Sequence, residues 1–339
     1  GLALAMTALP IAANAQTPPR AVNFGPNQSW TTQPYFGSMG TFFADVDGDG
    51  KADAIVVNSN TITVRSSSGS SFGSNQDWTH GPYFGTHGTF FADVNGDGKA
   101  DAIVVNDNTV IVRRSTADCF IVCVNYRFGS NEDWTHGPYF GSTMTTFADV
   151  DGDGKADAIV VNGSQVVVRR SDGSKFKPNE IWTSSFTPGT WGTYFFDVDG
   201  DGKADLIAVN QSSILVNLST GNGFAPATNW TGTAWVPGNV TGLRSVAFAR
   251  FNWFGLSSAM IYVTDNNVLV FPAQTALGQT RYKTQITSPI FVSFSGPVNF
   301  TTNPYFGNLG TFFADVTGDI NPDAIVVNTS NIVVRPATP

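Results

Sequence analysis

The chain has 339 residues, 18 Lys+Arg against 26 Asp+Glu, and a formal net charge of −8. It has no Lys/Arg cluster of the kind that tracks phosphates, so a nucleic-acid partner is excluded as an expectation. Only 13% of residues are charged while 35 are Gly and 13% are aromatic, which suits a β-rich exported protein and not a disordered one.

Residues 1–15 read as the end of a signal peptide. An apolar stretch closes on Ala13-Asn14-Ala15, with small residues at −3 and −1 of a cleavage site before Gln16. No later segment reaches the length of a membrane span. The expected location is therefore secreted and extracellular, with residues 16–339 forming one domain.

From residue 24 onward the chain repeats itself. Phe24, Phe72, Phe128, Phe176, Phe224 and Phe294 open six copies, at spacings of 48, 56, 48, 48 and 70 residues. That period, with several strands per copy, predicts an all-β fold, a β-propeller of six four-stranded blades. In the first copy Thr41–Asp45 starts the innermost strand. Ala54–Asn58 is an apolar, β-branched second strand, Thr61–Arg65 an alternating third, and Phe72 toward Trp78 an outer fourth. The chain opens on an outer strand, Ala21–Trp30, with no blade of its own, and its last copy stops at the third strand, Ile332–Arg335. The N-terminal strand is expected to complete the last blade and remove the exposed sheet edges. A seventh blade requires residues 272–300 to form a degenerate unit.

The 56-residue copy carries an insertion with the only cysteines, Cys119 and Cys123. On one extended strand they stand about 13 Å apart, too far for a disulfide. In a turn they can pair, so a loop staple and two apolar thiols both remain open. The fifth copy has Phe248-Ala-Arg-Phe-Asn-Trp-Phe-Gly where the others have an aspartate loop; packing of Phe251, Trp253 and Phe254 is expected there instead of a metal.

Those aspartate loops are the strongest signal in the chain. Asp45, Asp47, Asp49 and Asp53 form the first. Asp93, Asn95, Asp97 and Asp101 form the second, and Asp149, Asp151, Asp153 and Asp157 the third. Asp197, Asp199, Asp201 and Asp205 follow, then Asp315, Thr317, Asp319 and Asp323. Oxygen donors at alternate positions around a tight glycine turn are what a hard cation such as calcium requires. Eighteen of the 26 acids lie in these loops, and one Ca²⁺ in each would change the −8 to +2. The acidity thus reads as a metal requirement.

An aromatic motif also recurs. Trp30-Thr-Thr-Gln-Pro-Tyr35-Phe-Gly returns with Trp78, His80 and Tyr83, with Trp134, His136 and Tyr139, and with Phe300 and Tyr305. The motif is expected at the end of the blades opposite the metal loops, near Asn58, Asn106, Asn162 and Asn328. Rings beside amides suit a sugar, whose apolar face stacks on aromatic carbon. Trp30, Tyr35, Trp78, His80, Tyr83, Trp134, His136, Tyr139 and Tyr305 are the candidate ligand contacts; packing between blades is the competing role, above all for the tryptophans. Outside the loops only eight acids remain. Neither the opposed carboxylates of a glycosidase nor a nucleophile with a positioned base can be assembled from them, and no catalytic residue is assigned.

The run Phe-Ala-Asp-Val-Asp-Gly-Asp-Gly-Lys-Ala-Asp followed by an apolar strand resembles the FG-GAP/VCBS repeat, found also in the integrin α-chain propeller. The resemblance spans residues 21–339, with the fifth copy degenerate. It implies Ca²⁺, up to five ions, bound by the acids at loop positions one, three, five and nine and by the backbone carbonyl at seven. That carbonyl belongs to Lys51, Lys99, Lys155, Lys203 and Asn321 in turn. Asn95 and Thr317 replace acids, so their two loops are expected to bind less well. The arrangement of Asn-Phe-Gly, Trp and the loop is also similar to the fungal Psathyrella-type lectin propellers and their bacterial relatives, which bind sugars at several sites between blades. Here Val-Val-Asn stands where the fungal form has Gly-Phe-Gly. The resemblance implies a multivalent lectin with glycans or glycoconjugates as partners. The alternatives are a structural or protein-binding adhesion propeller and a polysaccharide-degrading enzyme.

Overall fold

The computed structural model describes residues 23–119, 123–231, 240–252, 257–274, 293–294, 296–301 and 303–338. The expected signal peptide lies outside them. The fold is a β-propeller of six antiparallel blades. The first blade pairs Gly40–Ala44, Asp53–Val57, Ile62–Arg65 and Gln76–Asp77 in that order, and the next three follow the same plan. The second strand is buried along its whole length, because neighbouring blades cover both its faces. Its Ala-Ile-Val-Val sequence has no polar residue to present to water. The third strand alternates buried and half-buried, which matches Ile62-Thr-Val-Arg65 residue by residue.

The ring closes as the sequence predicts. The sixth blade pairs Gly310–Ala314, Asp323–Val327 and Ile332–Arg335, and its fourth strand is Gln28–Ser29 from the other end of the chain. Asn23–Phe24 adds a second clasp by pairing with Ala337–Thr338. The described part of residues 272–300 belongs to the fifth blade: Val268–Gln274 pairs with both Ser293–Phe294 and Val298–Asn299. Among the described residues no seventh blade forms.

The outer strands are shorter than expected, two residues in the first blade. Phe72 leaves the sheet edge because its ring is needed elsewhere. It meets the preceding copy's Trp30 edge-on, with centroids 5.0 Å apart. The same interlock recurs at Trp78–Phe128, Trp134–Phe176, Trp182–Phe224 and Trp230–Phe294. Phe300 takes the tryptophan's place against Phe24 at 5.1 Å. The phenylalanines that open the repeats are thus the pegs that fasten each blade to the next. The insertion in the second copy is a hairpin, Ser115–Cys119 with Cys123–Phe128, in which Cys119 and Cys123 are backbone register partners. In the fifth blade Phe251 is buried and packs on Phe300 at 5.6 Å. Trp253 and Phe254 lie outside the described residues.

Trp30 is the peg partner that the N-terminal strand brings to the closing seam. Trp30→Ala should cost about 3–5 kcal/mol in urea unfolding, as much as Trp78→Ala within the chain. A neutral Trp30→Ala would show that the terminal strand does not close the ring.

Candidate functional site

Each aspartate loop connects the first and second strands of its blade. In the first loop Gly48 and Gly50 adopt φ of 80° and 84°, a region where a side chain is strained. This curls the backbone over Asp45, whose Oδ1 accepts the Gly48 N–H at 2.7 Å and Oδ2 the Gly50 N–H at 2.8 Å. Asp53 closes the loop from beneath. It is fully buried, its Oδ1 accepting the Ser67 N–H at 2.8 Å and its Oδ2 the Val46 N–H at 3.2 Å.

Three loops bring carboxylate oxygens from positions one, three and nine within 4.8 Å of one another: Asp45, Asp47 and Asp53; Asp149, Asp151 and Asp157; Asp197, Asp199 and Asp205. Such oxygen-only sets fit a hard cation. Among the described residues the second and fifth loops form no such group, where Asn95 and Thr317 stand at position three. The fifth is further handicapped by Ile320, which occupies the second glycine's place at φ 75°. A β-branched residue is strained there. The acids at position five do not join the triads. Asp49 pairs with Lys51 at 2.5 Å, Asp97 with Lys99 at 2.9 Å and Asp153 with Lys155 at 2.6 Å, while Asp201 pairs with Lys203. In these four loops a lysine two residues on holds the acid; in the fifth loop Asn321 stands in the lysine's place.

Burial, with neighbouring carboxylates adding to it, pushes the protonation of the ninth-position acids far up. Asp53 and Asp205 rise to about 8, Asp101 and Asp157 to about 7, and Asp323 to about 6. Asp199 rises to about 6 for the same reasons.

The loops also tie blade to blade. The Ala100 N–H donates to Asp45 O at 2.7 Å and Ser115 Oγ to Val46 O at 2.5 Å. Equivalent pairs join the second blade to the third, the third to the fourth, and the sixth to the first. The fifth blade adapts this seam. Ser258 Oγ reaches Asp197 O at 2.5 Å, and Arg250, standing at the place of a first-position aspartate, ion-pairs with Asp197 itself. A guanidinium therefore already neutralises one ligand of the fourth loop. The sequence shows the arginine, but only the seam shows what it faces.

The opposite end of the blades carries the aromatic motif. The tryptophans and tyrosines are core residues: Trp78 is fully buried, and Trp30, Tyr35, Tyr83, Trp134, Tyr139 and Tyr305 nearly so. Tyr35 Oη donates to the carbonyls of Ala54 and Thr63 at 3.1 and 2.9 Å, and the Arg65 guanidinium lies over its ring at 4.0 Å. Tyr83 with Arg113, Tyr139 with Arg169 and Tyr305 with Arg335 repeat the arrangement. With hydroxyl and ring face both engaged by the protein, these residues offer no platform to a ligand, and the expectation that they do is corrected. The exposed rings are their neighbours Phe36, Phe84 and Phe140, at 41%, 38% and 39% exposure. Beside them Asn58, Asn106 and Asn162 accept the N–H of Ser38, Thr86 and Ser142. His80 and His136 are exposed and sit at φ 50° and 49°, held by Asp77 and Asp133 through their backbone N–H. His87 stacks on Phe140 of the next blade with centroids 3.8 Å apart.

Residues 45–104 and 149–208 match a family model described as FG-GAP-like repeat. No curated protein sequence matches the chain. Among solved structures, the chain aligns with a mutant Tc holotoxin pore of Photorhabdus luminescens at TM-score 0.59 and 16% identity. The match covers 94% of this chain and 15% of that one. An Agrocybe aegerita lectin, whose structure concerns specific recognition of non-reducing terminal N-acetylglucosamine, aligns at TM-score 0.54 and 18% identity, over 87% of this chain and 75% of that one. At these identities the likeness is one of fold.

The raised carboxyls fix the sign of the pH dependence. Without a cation the folded state binds more protons than the unfolded state from the ordinary carboxylate range up to about 8, so stability falls as pH rises through that window. A cation requires the ionised form. Metal-free protein should therefore melt higher at pH 6 than at pH 8, and the gain in melting temperature on adding calcium should grow from pH 6 to pH 8. A calcium gain independent of pH would contradict this. For the fourth loop, Arg250→Gln should lower the melting temperature of chelated protein and raise calcium affinity at that loop about tenfold in calorimetric titration. An unchanged titration would show that Arg250 does not compete with the ion.

Proposed function

We propose that the protein is a secreted, calcium-stabilised β-propeller that binds glycans and does not turn them over. The observation that carries this reading is the row of exposed Phe36, Phe84 and Phe140 at equivalent positions of neighbouring blades, each next to a turn braced by an asparagine, with His87 stacked on one face of Phe140 and Phe36 and Phe84 the more open rings. An exposed ring next to polar groups accepts the apolar face of a pyranose and orients its hydroxyls. Repetition around a rigid ring turns weak single contacts into avidity for a glycan-covered surface. The strained, exposed His80 and His136 support the same end as the binding face, since backbone strain of this kind concentrates at functional positions. The lectin propeller of Agrocybe aegerita offers a precedent for the fold in such a role.

Calcium in this reading is structural. It would be held by Asp45, Asp47 and Asp53 and their equivalents in the third and fourth loops, with the carbonyls of Lys51, Lys155 and Lys203 as further donors. The ion offsets the mutual repulsion of the carboxylates and so stabilises the blade seams. A protein-binding role is favoured by one observation, the exposure of Met39 and Leu309 on the same turns.

A glycan array probed with folded protein in millimolar-range calcium separates the two. The expected result is selective binding that free monosaccharide competes away and that Phe84→Ala with Phe140→Ala weakens. A blank array would contradict the lectin reading and leave the aromatic end to a protein partner.

A further inference from the structure

The second aspartate loop departs from the first, third and fourth at position three, where Asn95 stands for an acid, and the residue after it is Gly96. An asparagine cyclises most readily before glycine, because the glycine nitrogen carries no neighbouring side chain to hinder its approach to the amide carbon. The chain has three such steps, Asn95-Gly96, Asn162-Gly163 and Asn222-Gly223. The surroundings of Asn95 set it apart. The Gly96 N–H donates to Asp93 Oδ1 at 2.6 Å, so a carboxylate is placed to take the proton of the attacking nitrogen. The Asp97 N–H donates to Asn95 Oδ1 at 2.8 Å, where negative charge develops as the amide is attacked. Gly96 is exposed, which admits the water that completes the reaction.

The other loops show the place of the product. Asp47, Asp151 and Asp199 stand at position three, and each Oδ1 accepts the N–H two residues on, at 3.2, 3.2 and 3.1 Å. Asn95 Oδ1 already makes that bond, so an acid at position 95 requires no rearrangement of the loop. In those three loops the acid at position three lies within 4.8 Å of the acids at positions one and nine. Asn162 is the internal comparison, since Val94-Asn95-Gly96 and Val161-Asn162-Gly163 share their local sequence. Asn162 Oδ1 also accepts a backbone N–H, from Ser142 at 2.8 Å, but Gly163 donates to a neutral hydroxyl, Thr143 Oγ1, at 3.1 Å. The carboxylate beside the attacking nitrogen is the difference between them.

We propose that Asn95 is a self-modifying residue, deamidated within its own loop to an acid that gives the second loop the three carboxylates of the first, third and fourth. Gly96 N bonds to Asn95 Cγ while its proton passes to Asp93. The Cγ–Nδ2 bond breaks, and Nδ2 leaves as ammonia with that proton, so that a cyclic imide remains. Water then adds at Cγ, the bond from Cγ to Gly96 N opens, Gly96 regains a proton, and a carboxyl stands where the amide was. Water adding at the main-chain carbonyl of residue 95 gives the isoaspartyl linkage instead. The benefit to a cation rests on the calcium reading of the loops, while the chemistry at Asn95 does not.

The test ages the whole metal-free chain at pH 8 and follows each asparagine by peptide mass mapping. In folded protein Asn95 should convert about tenfold or more faster than Asn162, and in denaturant the two rates should become similar. Asp93→Asn should slow Asn95 about tenfold or more and leave Asn162 unchanged. The comparison of folded with denatured wild type keeps the test valid should that variant misfold. Equal rates at Asn95 and Asn162 in the folded chain, or an unchanged Asn95 rate in folded Asp93→Asn protein, would overturn the proposal. Asn95→Asp, and the aspartyl fraction of aged wild type, should bind calcium at the second loop about tenfold more tightly than fresh protein in calorimetric titration. Conversion without that gain would overturn the role at the metal and leave the modification standing. Calcium binding at none of the loops, with Asn95 still converting fast, would overturn the calcium reading alone.

Discussion

A carboxylate kept out of water governs this fold. Asp53 and its four equivalents each accept a backbone N–H from the aspartate loop and another from the segment after the third strand, and Asp323 accepts a third from Thr317. The bonds rigidify the loop, and the loop in turn offers its carbonyls to the next blade. Yet the same burial makes the charge expensive, as the raised protonation of all five acids shows. The fold therefore concentrates negative charge where its blades must join, and it has two ways to offset that charge. One, in the proposed reading, is a cation held by three converging carboxylates. The other is the guanidinium of Arg250, used where the fifth blade has no loop of its own.

The two ends of the ring have accordingly separated in role. At one end, aspartates and inter-blade hydrogen bonds hold the seams. Through the body of the ring, the Trp–Phe interlocks hold the blades in apolar contact. The other end is thus relieved of structural duty and can vary. Its rings project from turns that asparagine side chains brace, which is the usual way binding groups are mounted on a rigid scaffold. At the third-to-fourth interface Asn217 stands in the arginine's place and Thr187 in the tyrosine's, while Phe186 fills the core beside Trp182.

Much of this was legible in the sequence because it is repeated. The recurrence of Phe128, Phe176 and Phe224 every 48 residues marked the blades. The orphan strand before Trp30 gave the closure, and the alternating aspartates gave the loops. What the sequence could not convey was direction. Tyr35 and Phe36 are adjacent aromatics in one motif, and nothing local says that the tyrosine turns inward to meet Arg65 while the phenylalanine turns out. That choice is made by carbonyls of the second and third strands, 19 and 28 residues away. Asp49 is a similar case, since alternation alone does not reveal its pairing with Lys51. Arg250 and Asn217 escaped notice because each acts across a seam or by an absence, and both stand out only against the superposed repeats. An arginine at an aspartate's position and an asparagine at an arginine's were the available signals.

The claim on which the account depends is that the loops hold blade to blade and that a cation strengthens this hold. Hydrogen–deuterium exchange with and without calcium tests it directly. The amides of Ala52, Ala100, Ala156 and Ala204 cross the seams to the preceding loop, so calcium should slow their exchange together with that of the loops themselves. Slower exchange confined to the turn amides, Gly48 and Gly50 and their equivalents, with the four seam amides unchanged, would show that the ion orders its own turn and has no part in joining the blades.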